Sequence, residues 1–285
     1  MTLWDSLTTA FQLDFMTRAL TALLIIGVMA GVVGVFVHLR QSAFIADGLI
    51  HGIFPGVAIG FAVGGTNALF VGALAAAVVA TVALTLIGNS RRVDNDAAIA
   101  VVLTSMFSIG VIVVSGRRGF TTDLNALLFG RLLTVSQPEL VQTWIVAAVV
   151  LVLLVAFGKE LLLVTFDPAG ARAAGYRVLL LEMLANALVA LVVVAAVRAV
   201  GTVLVIALLI VPAAIARLVT GRFFLLFPVA AAIGALGGWL GLGISFDASV
   251  YHGVNLASGG TVVLTLVAAY FLVLFGRLGA RRLAR

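Results

Sequence analysis

The sequence predicts an all-α polytopic membrane protein with eight or nine spans, on three observations. Of its 285 residues, 64% are hydrophobic and 10% are charged, where soluble domains carry roughly 25% charge. Apolar windows of about 17 to 24 residues, enough to cross ~30 Å of hydrocarbon as a helix, recur nine times along the chain. The basic residues fall mostly in the short connections between these windows, as membrane topology signals do. No polar stretch is long enough for a soluble domain, so 1–285 reads as one transmembrane domain. The net charge of +6 therefore does not point to nucleic acid, and with no cysteine the chain has neither disulfides nor thiolate metal sites.

The first window, 15–38, carries Gly27, Gly31 and Gly34; the second, 43–64, carries Gly48, Gly52, Gly56 and Gly60. Such spacings of three and four make a small-residue stripe that lets helix backbones approach closely. Ordinary packing accounts for it, and its tightness in the second window predicts that the polar residues there face the protein interior. The third to sixth windows cover 67–88, 95–115, 138–158 and 178–198. The seventh, 201–217, is short and is either a full span or a re-entrant piece. The last two cover 223–245 and 258–276. Pro55 and Pro212 interrupt the second and seventh; proline removes a donor and bends a helix, which membranes tolerate where neighbours or a cavity meet the freed carbonyl.

Placing the N-terminus outside puts 12 of the 17 basic residues in inside-facing segments and 5 in outside-facing ones, a positive-inside bias. The tail from Gly276 to Arg285 is then cytoplasmic, and 116–137, with three arginines, is the weak point of the register. Met1–Phe15 lacks the basic n-region of a cleaved signal peptide.

Inside the second window lies Asp47-Gly-Leu-Ile-His51. Residues four apart stack on one helix face, and a carboxylate in hydrocarbon costs at least ~2.5 kcal/mol, so such residues usually mark a pathway or a site. Carboxylate plus imidazole is also a ligand pair for divalent transition metals. The other reading is a helix end hydrogen-bonded to backbone. Between the fifth and sixth windows, Asp167-Pro168 is a helix start with Asp as N-cap and Pro at the first position. Ala169–Ala174 is helical, and Gly175 suits a C-cap. The loop, about 164–177, is either an ordinary surface loop or a short exposed helix on which a partner docks. His38 reads as an interface residue, and Glu182 with Asn186 as either vestibule lining or an interhelical hydrogen-bonding pair. Asp247–His252 reads as a solvated outer loop or a place where metal first arrives.

The succession Asp47, His51, Pro55, Gly56; Asp123-Leu-Asn-Ala-Leu-Leu-Phe-Gly130; Phe166-Asp-Pro-x-x-Ala-Arg-x-x-Gly175; and Ala199–Arg217 resembles the permease subunit of ATP-binding-cassette importers for manganese, zinc and iron. The likeness runs from about residue 15 to 276 and is specific because four motifs keep their order. It implies a fold similar to the permeases that import vitamin B12 and iron siderophores. It implies a homodimer in a bacterial inner membrane, served by two cytoplasmic ATPase subunits and an extracytoplasmic metal-binding lipoprotein. It also implies Asp47 and His51 as metal ligands, and Phe166, Asp167, Pro168, Ala171, Arg172 and Gly175 as the loop that contacts the ATPase. No cofactor is bound permanently; the transported manganese, zinc or ferrous ion is cargo. The loop at Asp247–His252 departs from the family, being longer and carrying a histidine.

The chain has no GxxxxGK[ST] phosphate loop, so ATP hydrolysis is expected in another subunit. It also lacks the H-E-x-x-H and G-x-S-x-G strings of intramembrane enzymes, and is read as non-catalytic. A stand-alone secondary carrier is the alternative, although the two halves share no visible motif.

Overall fold

Apolar runs bounded by proline, glycine and arginine become helices throughout. The computed structural model describes residues 10–89, 95–115, 130–254 and 256–283. Among these, ten α-helices form: α1 (Asp14–Leu39), α2 (Ala43–Gly64), α3 (Leu69–Gly88), α4 (Asn95–Ser115), α5 (Gln137–Phe166), α6 (Pro168–Ala173), α7 (Val178–Val200), α8 (Thr202–Val219), α9 (Phe223–Tyr251) and α10 (Ser258–Leu283). Short 3-10 turns cover Ala10–Gln12, Gly65–Ala68 and Leu132–Thr134. Among the described residues, nine helices (all but α6) are long and apolar enough to cross a membrane. The short seventh window is a helix of span length, and α2 and α8 run unbroken through Pro55 and Pro212.

Three helices outrun their predicted ends. The fifth continues to Phe166, so the loop opens at Asp167 and not at Val164. The eighth window becomes α9 and continues to Tyr251, which places Asp247–Tyr251 in helix and not in a solvated loop. The last continues to Leu283, through most of the supposed tail. Charged residues do not stop a helix. The stops come from backbone signals: Pro168 disfavours helical φ/ψ at Asp167, and Gly253 takes a positive φ of 67°. Of the Asp123–Gly130 motif, 123–129 lie outside the described residues.

The chain divides into two compact units. One comprises α1 to His38, the start of α5 to Ala147, the end of α7 from Ala196, and α8–α10. Here the first glycine stripe meets backbone: a Cβ at Gly27 would lie 2.8 Å from the Gly234 carbonyl, and one at Gly31 2.7 Å from that of Ala230. The segment before α5 is fastened at the α7–α8 junction. The Arg131 amide donates to the Ala199 carbonyl (3.0 Å), and Arg198 pairs with Glu139 (2.7 Å). Glu139 also accepts from the Ser136 amide and hydroxyl, both at 2.9 Å, closing the first turn of α5.

The other unit comprises α2–α4, α5 from Ala148, α6, and α7 to Ala195. The second glycine stripe faces its neighbours in this unit. A Cβ at Gly48 would meet the Ile99 side chain of α4 at 3.0 Å, and one at Gly52 the Ala80 methyl of α3 at 3.0 Å. At Gly56 it would run into the Gly72 carbonyl, and reciprocally. Ala171 of α6, fully buried, packs with Val164 of α5 and Val178 of α7, with Leu181 against them. This seats the short helix on the base of the α5–α7 hairpin.

Candidate metal and coupling sites

The regular turn of α2 fixes the first site. His51 Nε2 lies 3.6 Å from Asp47 Oδ1, beyond hydrogen-bond range, so both groups keep lone pairs for a shared ligand. Their side chains are 33% and 39% exposed respectively in the single chain, so the pair is half-buried. The reason is azimuthal. The glycines occupy the face that packs on α3 and α4, and Asp47 and His51 each precede a glycine by one residue, about 100° round the helix. The glycine stripe absorbs the packing, and the polar stripe beside it stays open.

That open stripe has one aromatic wall. Phe107 of α4 presents its ring edge-on to His51 (centroids 5.9 Å, 86°) and stacks on Phe54 (5.4 Å, 29°). Pro55 has no amide proton, so the His51 carbonyl lacks its usual i+4 donor on that turn. Among the described residues no group of three or more His, Cys, Asp or Glu side chains could hold a metal. The chain thus presents two side-chain ligands at this place, fewer than the four to six that transition metals take.

The second site is α6. Asp167 caps it, its Oδ1 accepting from the Gly170 amide at 2.8 Å, and Pro168 occupies the first turn. The far end closes in a Schellman motif: Tyr176 N donates to Ala171 O and Gly175 N to Arg172 O, both at 3.0 Å. Gly175 sits at φ 87°, a conformation open to glycine at little cost. Ala171 faces inward, while Phe166, Asp167, Pro168, Arg172 and Gly175 are exposed. The outer side of this capped helix is therefore solvent-exposed.

The remaining polar residues separate. Asn186, 5% exposed, donates to Thr85 Oγ1 (3.0 Å) across α7 and α3, so it is an interhelical hydrogen-bonding residue. Sequence reading did not find its partners Thr85 and Arg40, which lie 101 and 146 residues away. His252, exposed after α9, lies 3.6 Å from Asp247 Oδ2. His38 is exposed in the last turn of α1.

A family described as the ABC 3 transport family matches residues 12–277. The chain belongs to that family. It is 36% identical over 264 residues to the manganese transport system membrane protein MntC of Halalkalibacterium halodurans, covering 92% of this chain and 87% of the relative. The solved structure of PsaBC from Streptococcus pneumoniae in complex with Fab includes a chain that superposes with a TM-score of 0.81 at 31% identity, over 94% of both chains. An inward-facing ABC transporter of metal-chelate type gives a TM-score of 0.69 at 20% identity, over 91% of this chain and 85% of that one, and shows the shared fold. The chain is a multi-pass membrane protein and a transport component of this family.

Proposed function

We propose that this protein is the membrane-spanning permease of an ATP-driven manganese importer. The observation that carries the reading is the open Asp47–His51 pair in an otherwise apolar helix, at a separation that leaves both groups free to ligate. Two ligands do not complete a site, and the reading supplies the rest from a second copy of the chain facing the first. Two Asp47 carboxylates then offset the double positive charge of the ion, which a low-dielectric pathway requires. Aspartate and histidine suit manganese, zinc and ferrous iron alike; the names of the relatives favour manganese. Two cytoplasmic ATPase subunits drive the cycle through the exposed face of α6, and an extracytoplasmic metal-binding lipoprotein delivers the ion. The alternative of a stand-alone carrier leaves a capped and outward-facing α6 without a task.

Mechanistically, His51 binds through a neutral imidazole and Asp47 as a carboxylate, and both must shed water to do so. Metal-dependent growth of a deletion strain, rescued separately by Mn²⁺, Zn²⁺ and Fe²⁺, tests the cargo. Rescue by Mn²⁺ at the lowest concentration is expected; rescue by Zn²⁺ alone contradicts the manganese reading.

A further inference from the structure

The turn between α1 and α2 holds a charge that neither proposed site uses. Arg40 Nη1 points at Asn186 Oδ1 (3.5 Å) on α7. Asn186 Nδ2 donates to Thr85 Oγ1 on α3 (3.0 Å), and that hydroxyl donates to the Thr81 carbonyl (2.7 Å). Asn186 and Thr85 are 5% and 4% exposed. Burial lowers the Arg40 pKa, and the Glu182 carboxylate raises it in opposition, so a partly buried guanidinium bonded to the Asn186 amide also feels the charge of an acid on the same helix. The next residue, Gln41, adopts a positive φ of 52°, a strained choice for a side chain that persists only when its surroundings fix it.

Two further links are on the same unit. Arg40 stands three residues before α2, whose first turn leads from Ala43 to Asp47, and the Ser42 carbonyl accepts from Ile45 and Ala46 at the start of that helix. Glu182 follows Leu181, which packs against the Val164–Ala171–Val178 cluster that seats α6. The base of α7 therefore touches the short helix at one end and grips Arg40 one turn on.

We propose that Arg40 is a positioning residue that ties the Asp47–His51 turn of α2 to the α6–α7 base, so that movement of α6 reaches the ligands. This deepens the reading given above and rests on it. A guanidinium suits the role because its planar fork can hold a neutral acceptor and an acid together, which a lysine ammonium does less well.

The test uses the full complex, copurified with its ATPase subunits and reconstituted in vesicles, with Mn²⁺ uptake and ATP hydrolysis measured in the same preparation. The readout is Mn²⁺ moved per ATP hydrolysed. Arg40→Gln and Asn186→Ala are each expected to lower this ratio by about tenfold or more, the double variant no further than either single, because coupled residues are non-additive. Arg40→Lys, which keeps charge and size and so guards against a simple folding failure, should lie between. An unchanged ratio in Arg40→Gln or in Arg40→Lys, with less folded protein, would show Arg40 to be structural only and overturn the inference. Singles that multiply in the double variant would overturn it too. Wild-type vesicles that move no Mn²⁺ would instead remove the importer reading, and the inference with it.

Discussion

Gly56 and Gly72 meet backbone to backbone, each standing where a Cβ would strike the other's carbonyl. Gly56→Ala must push α2 away from α3, and overpacking of this kind costs about 1–3 kcal/mol. A lower melting temperature for purified Gly56→Ala is expected, whereas an unchanged one would mean that the helices separate freely. The sequence showed these glycines as a stripe but not which neighbour they serve, because a spacing rule carries no partner. Asp47 and His51 were legible for the opposite reason: two ligand types one turn apart in an apolar run need no partner to be noticed. Arg40 and Thr85 were not. Each looks ordinary in its own segment, and only the fold brings them to Asn186.

At the scale of elements, hydropathy located every span, and chain chemistry located α6. Three helix ends lie beyond the apolar windows, since Lys159, Glu160 and Asp247 all continue in helix. The short helix yields a discriminating prediction. Gly175→Ala and Gly175→Trp carry the same backbone strain at φ 87°, about 1–2 kcal/mol, and a Cβ at this position meets nothing within 4 Å in the chain itself. If α6 seats in a cleft of the ATPase, the tryptophan should abolish metal-stimulated ATP hydrolysis and the alanine should reduce it mildly, with membrane insertion equal. Full stimulation in Gly175→Trp would exclude docking at this end. Asp167→Ala, which removes the cap on Gly170, should cost about 1 kcal/mol and lower stimulation partway.

For the whole molecule, the 12-to-5 division of basic residues predicts that the C-terminus and α6 face the cytoplasm. A reporter fused after Arg285 should be active in the cytoplasm only; activity confined to the other side would reverse the orientation and detach α6 from the ATPase. The most direct test is Mn²⁺ uptake per folded complex in His51→Ala and Asp47→Asn. His51→Ala removes a ligand and Asp47→Asn keeps size while removing charge, so both should lose nearly all uptake while the assembled complex forms in wild-type amount. If uptake per folded complex instead stays near wild type while the quantity of protein falls, the pair is structural and the metal pathway lies elsewhere.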